Sequence, residues 1–211
     1  MKKKMGFLKK FLSNCACPKG TLGRVMLHGM TFGHRWIADW GLKHLDGVSA
    51  ASIVELGCGS GANAAKLLEK YPSSRLTGVD ISAESVAHAR KKLSAQIAAG
   101  RCEFVQADVS ALPLPDGKFD LATAFETVYF WPGPLESFRE VYRVLAPGGL
   151  FMISNEAGAQ KELPVDWTRW VEGMRYYDEE TLSRLLEQAG FSIERIGRRE
   201  KLGWLCVLAR K

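Results

Sequence analysis

The sequence has no apolar run long enough to cross a bilayer, which takes roughly 18 consecutive residues. It has no internal repeat and no low-complexity tract, which excludes solenoids and fibrous assemblies. Its five cysteines are odd in number and scattered, so no disulfide framework is implied, and a reducing cytoplasmic setting fits. Cys15-x-Cys17 lacks the second pair of a structural zinc site, so no metal is expected. Acidic residues are missing from positions 1 to 24, which carry seven lysines and arginines. Beyond that stretch the charges nearly cancel, so the net +6 is no sign of a nucleic-acid groove. Residues 1–12 interleave lysines with Met5, Phe7, Leu8, Phe11 and Leu12. That pattern fits a solvated arm, with weak contact to an anionic membrane surface as the sharper alternative. The apolar part is broken by Lys9 and Lys10, so it does not read as a secretory signal.

What is present begins with Ile53-Val54-Glu55-Leu56-Gly57-Cys58-Gly59-Ser60-Gly61-Ala62-Asn63. An apolar strand runs into alternate glycines and then a helix. Glycines accept positive φ and let a ligand approach the backbone, and the helix start aims free N–H groups at the same spot. The next strand, Arg75 to Val79, ends on Asp80, a position suited to binding two ribose hydroxyls.

Helices are expected over Arg35–Leu45, Ala62–Tyr71, residues 83–99 with the stripe Val86, Ala89, Leu93 and Ile97, Leu135–Leu145, and after Asp178. Residues 13–33 read as glycine-rich and irregular. Strands are expected at Cys102–Ala107, Phe119–Phe125, Leu150–Ser154, Phe191–Ile196 and Trp204–Ala209. The alternation gives an α/β sheet with helices on both faces, and the last two strands, with no helix between them, pair antiparallel. The chain divides into a basic arm and lid helix, 1–46, and a main domain, 47–211. The lid, His28–Trp40, is too apolar for a free tail and is expected over the strand tips. His88 is expected on the surface.

Glu55-x-Gly57-x-Gly59-x-Gly61 resembles the first motif of the class I S-adenosylmethionine-dependent methyltransferases. Residues 111–120, ALPLPDGKFD, residues 139–149, REVYRVLAPGG, and residues 187–191, EQAGF, resemble segments of the methyltransferase type 11 group. The resemblance covers roughly residues 50–211. It implies a Rossmann-like, doubly wound, seven-stranded sheet, mostly parallel with an antiparallel C-terminal strand.

It also implies S-adenosylmethionine as cofactor. Gly57, Gly59 and Gly61 would admit its methionine part, and Glu55 would help hold its amino end. Asp80 would bind the ribose, Ile81 would lie on the adenine, and Asp108 beside Val109 would accept from the adenine amine. Phe125 and Glu126 would face the methyl group. His34, Glu126 and Tyr129 are the candidate catalytic residues at the mouth, with His34 a candidate base. Tyr129, Phe130, Trp131, Trp167, Trp170 and Tyr176 are candidates to line an apolar substrate pocket. The loop Glu126–Pro132 does not match the (Asn/Asp)-Pro-Pro-(aromatic) motif of enzymes that methylate nucleic-acid bases. A small-molecule acceptor is therefore expected. Two alternatives stay open: a nicotinamide-dependent oxidoreductase, because Gly57, Gly59 and Ala62 fit G-x-G-x-x-G/A, and a non-catalytic S-adenosylmethionine-binding protein.

Overall fold

The computed structural model describes residues 16–158, 166–171 and 173–211. Seven strands form one sheet: β1 (Ser52–Leu56), β2 (Arg75–Asp80), β3 (Cys102–Gln106), β4 (Phe119–Phe125), β5 (Leu145–Asn155), β6 (Ser192–Arg199) and β7 (Trp204–Arg210). Their order across the sheet is β3-β2-β1-β4-β5-β7-β6. β7 pairs antiparallel with both β5 and β6, and the other pairings are parallel.

Side chains alternate across a strand, so the central strands feed two cores. Val54, Leu56, Ala122, Ala124, Phe151 and Val207 face one way and pack with Phe138, Val141, Leu182 and Leu186. These last come from α6 (Pro134–Val144) and α7 (Glu179–Gln188). Ile53, Leu121, Met152 and Cys206 face the other way and pack with Ala64, Leu67, Val86 and Ala89. Those belong to α3 (Ala62–Lys70) and α4 (Ala83–Lys92). β1 and β4 are buried along almost their whole length, and most of their residues are apolar, as burial on both faces requires.

Helix ends follow local chemistry. Ser82 Oγ accepts from Ser85 N at 3.2 Å and Asp178 Oδ1 from Thr181 N at 2.8 Å, two side-chain N-caps. The helix expected over residues 83–99 breaks at Leu93, which stays in the core while a short helix, α5 (Ser94–Ala98), starts afresh.

The N-terminal part corrects the sequence reading. Residues 20–33 are not irregular but form α1 (Gly20–Gly33), followed by α2 (Arg35–Lys43). Each glycine costs a helix about 1 kcal/mol against alanine, and tertiary packing overrides that cost here. Leu27 is buried, and Gly23 lies so close to Pro18 that a Cβ would stand 2.7 Å from its carbonyl carbon. Ala38 and Leu45 belong to the second core, so residues 37–45 are built into the fold and do not merely lie over it. The amphipathic pattern of residues 1–12, with its expected membrane contact, and Cys15 fall outside the described residues. Among the described residues no helix is long and apolar enough to cross a membrane.

Candidate functional site

The carboxyl ends of β1, β2 and β4 converge on one cavity of about 1120 Å³, lined by the glycine turn, Asp80, Asp108, the residues after β4 and the N-terminal helices. Parallel strands place their tips on one edge, where open α/β sheets bind ligands.

At one end lies a cradle made of backbone. Gly57, Gly59 and Gly61 all have positive φ, 75°, 51° and 73°. Gly57 N and Cys58 N both donate to Val79 O, at 2.8 and 2.9 Å, which ties the turn to β2. The three glycines do different work. A Cβ on Gly57 would stand 2.2 Å from Thr127 Oγ1, so this glycine lets the turn close on the tip of β4. A Cβ on Gly61 would meet Ala89 at 3.0 Å, so this one lets α3 pack on α4, and Gly61 does not line the cavity. Gly59 faces open space and is the place where a ligand can meet bare backbone.

Asp80 accepts from Gly59 N through Oδ2 and from Ser82 N through Oδ1, both at 2.8 Å. Burial nevertheless raises its pKa above the usual carboxylate value. Beside it Ile81 is 47% exposed, an apolar face within the cavity lining. Asp108 and Val109 line the cavity too, with Asp108 Oδ1 accepting from Ser110 N at 2.9 Å and Ser110 Oγ at 2.8 Å. Glu55 is only 1% exposed and lies beneath the turn, outside the cavity lining. Burial, and then the charge of Asp80, push its carboxyl well above the ordinary range, while Ala64 N donates to it. Among the described residues its Oε2 has no hydrogen-bond partner.

At the other end three titratable side chains from separate segments meet. Among the described residues Glu126 alone has positive φ without being glycine, at 58°. That left-handed backbone costs roughly 1–2 kcal/mol for a residue with a Cβ. It is held by Glu126 N donating to Ser154 O at 3.0 Å and by Glu156 N donating to Glu126 Oε1. His34 Nε2 lies 3.4 Å from Glu156 Oε1. Ligand atoms of His34, Glu126 and Glu156 all fall within 4.8 Å of one another.

Burial pushes the Glu126 carboxyl up to about 8, against the opposing pull of His34. For His34, burial lowers the pKa, but the Glu156 hydrogen bond and the charges of Glu126 and Glu156 outweigh it and the net shift is upward. Tyr129 OH accepts from Ala157 N at 3.0 Å, and burial first, then the charge of Glu126, hold its pKa well above the ordinary phenol value. His34 reaches this cluster because it is the single residue between α1 and α2: its N–H bonds Met30 O and its carbonyl accepts from Ala38 N.

Phe125, Phe130, Trp131 and Tyr176 join Tyr129 in the cavity lining. Trp131 Nε1 donates to Thr127 Oγ1 at 3.2 Å. Trp170 is not part of the lining, and the Trp167 side chain falls outside the described residues. His88, expected on the surface, lines the cavity instead. The sequence reading missed Glu156. It follows the end of β5, next to β4 in the sheet, so the rule that singled out acids at strand tips applied to it as well. It also missed the link from Thr31 Oγ1 to Ser60 Oγ at 2.8 Å, which joins α1 to the glycine turn.

The methyltransferase domain family matches residues 54–153. A fatty-acid O-methyltransferase of Mycolicibacterium smegmatis is 33% identical over 122 residues, 58% of this chain and 42% of that protein. A malonyl-[acyl-carrier protein] O-methyltransferase of Geobacter sulfurreducens is 33% identical over 161 residues, 71% of this chain and 59% of that protein. The chain thus spans about half the length of these curated relatives. The crystal structure of an S-adenosylmethionine-dependent methyltransferase from Mesorhizobium loti superposes with a TM-score of 0.61 at 27% identity, covering 78% of this chain and 92% of that one.

Proposed function

Residues 54–153 make this chain a member of the class I S-adenosylmethionine-dependent methyltransferases, and from that premise we propose that it methylates a small, largely apolar molecule. The observation that carries the proposal is the single cavity joining the glycine cradle to the His34, Glu126 and Tyr129 cluster.

The residues present fit the cofactor. Gly59 offers open backbone, Asp80 offers carboxylate oxygens to the ribose hydroxyls, and the exposed Ile81 offers an apolar face to the adenine ring. Asp108 and Val109 would flank the adenine amine, and Phe125 would face the transferable methyl. Glu55 acts from beneath, as a buried carboxyl facing the start of α3, and Gly61 acts by letting that helix close on α4. Bound there, S-adenosylmethionine supplies a methyl carbon activated by the positive charge on sulfur.

The chain's own residues then have to align the acceptor, exclude water and take a proton. Residues 28–40 form the lid in this reading, with Met30, Phe32, His34 and Ile37 walling the cavity, and residues 47–211 form the transferase domain. His34 and Glu126 are the proton-handling pair, and Tyr129 buttresses Glu126. The free Cys17, Cys58, Cys102 and Cys206 support a reducing, cytoplasmic setting.

Calorimetry with S-adenosylhomocysteine and with NAD side by side tests the proposal. Micromolar binding of S-adenosylhomocysteine and none of NAD is expected. Tighter binding of NAD would favour the oxidoreductase alternative and overturn it.

A further inference from the structure

We infer that the acceptor is an amine, bound as an ammonium between Glu126, Glu156 and the aromatic rings around them, and not a carboxylate like those implied by the names of the two curated relatives. The inference rests on the methyltransferase reading and names the substrate class for the same site.

The first support is charge. Glu126, Glu156 and His34 present their ligand atoms within 4.8 Å of one another, so two carboxylates share one imidazole. The charges that act on Glu126 are those of His34 and Glu156. The three Lys and Arg side chains of the cavity lining act elsewhere: Lys92 acts on Glu55 at the cradle end. Lys66 Nζ bonds Asp39 Oδ1 at 2.6 Å, and the Arg35 guanidinium lies over the Phe32 and Trp36 rings at 4.0 and 4.8 Å. Once Glu126 is ionised, the cluster keeps at least one negative charge in excess even with His34 protonated, in a half-buried site. A carboxylate acceptor would add a second, and like charges at this range repel strongly once removed from water. An ammonium cancels the excess.

The second support is the wall. Tyr129 and Tyr176 stand edge to face with centroids 5.7 Å apart, and Tyr129 and Phe130 do the same at 6.1 Å. All three line the cavity. Aromatic faces beside carboxylates recognise ammonium groups, and the remaining wall, with Val171, Met174 and Met30, suits an apolar body.

The chemistry closes on these groups. The acceptor enters as R–NH3⁺ and passes one proton to the Glu126 carboxylate. The freed nitrogen lone pair forms the N–C bond to the methyl carbon as the C–S bond breaks, and its electron pair stays on sulfur. The products are R–NH2⁺–CH3 and a neutral thioether, so total charge is unchanged. The groups that act on Glu126 are His34 from the α1–α2 junction, Glu156 after β5, and Tyr129.

The test uses the full chain saturated with S-adenosylhomocysteine. Straight-chain alkylamines, alcohols and carboxylates of four to ten carbons are titrated in calorimetry, and turnover with S-adenosylmethionine is followed by mass spectrometry. At the best chain length the amine is expected to bind at least tenfold tighter than the alcohol, with the acid weakest, and to be N-methylated. Glu156→Gln should erase that preference while S-adenosylhomocysteine affinity stays unchanged. A carboxylate preferred over the amine, an amine preference that survives Glu156→Gln, no binding of any probe, or turnover that requires an added divalent cation would each overturn the inference while leaving the cofactor reading intact. Failure of S-adenosylhomocysteine to bind would overturn that reading, and this inference with it.

Discussion

At the Asp80 end of the cavity, carboxylate oxygens are fixed by backbone N–H groups of Gly59 and Ser82. At the Glu126 end, His34 and Glu156 face Glu126 as side chains from three distant segments. Backbone donors cannot lose a proton or swing away, so the first end is preset for one ligand. Side chains with shifted pKa values can change charge and rotamer, so the second end is adjustable. Binding one cofactor and moving protons on another molecule, as proposed above, would use both.

Each end can be broken separately, and the largest effect is expected at the backbone end. Gly57→Val must place a Cβ against Thr127 in a left-handed conformation that β-branched residues resist. It should abolish S-adenosylhomocysteine binding in calorimetry and lower the melting temperature. Gly59→Ala, with open space around its Cβ, should cost far less stability. Equal losses would mean that close packing does not distinguish the two glycines.

Asp80→Ala comes next. Losing hydrogen bonds to a charged group costs about 1.5–3 kcal/mol, or roughly ten- to a hundredfold in S-adenosylhomocysteine affinity. An unchanged dissociation constant would place the ribose elsewhere.

At the adjustable end, Glu126→Gln should leave cofactor affinity alone and change the pH profile. Wild-type turnover should rise as pH passes about 8, where Glu126 becomes ionised, and the variant should lose that step. Stability should respond in the opposite sense. The folded-state pKa lies above the unfolded one, so the Glu126 contribution is lost as pH climbs from the ordinary carboxylate range to about 8. The melting-temperature advantage of Glu126→Gln should therefore grow across that window and level off above it. Parallel curves would show that Glu126 does not titrate there.

His34→Ala should lower turnover about a hundredfold, at the weak end of acid–base effects, with cofactor affinity unchanged. Full turnover would remove His34 from the proton path. Deleting residues 1–12 should be the mildest change, because the described core begins later. Circular dichroism and S-adenosylhomocysteine titration should match the full chain, and an unfolded product would make that segment part of the core.

The same contrast explains what the sequence disclosed. The cradle is contiguous: strand, glycines and helix occupy one stretch from Ser52 to Lys70, so spacing alone placed Gly57 and Gly59, and Asp80 followed one strand later. Glu55 and Gly61 were legible as members of the turn but not as residues outside the cavity, because facing depends on burial that spacing does not encode. The Glu126 end is assembled by topology. His34, Glu126 and Glu156 meet only because β5 lies next to β4 and the α1–α2 junction crosses their tips. The helix α1 was hidden for a related reason. Its glycines argue against a helix locally, and contacts such as Gly23 on Pro18 and Leu27 in the interior overrule them.

The hydroxyl pair Thr31–Ser60 joins α1 to the glycine turn at 2.8 Å. In the proposed reading, a bond across that seam would make the two ligands partners in one equilibrium. Whatever factor a bound acceptor adds to cofactor affinity, the cofactor must return to the acceptor. Thr31→Val, which keeps the shape and removes the bond, would then show up as lost synergy between the two, measured by titrating each in the presence of the other, with either affinity alone left in place.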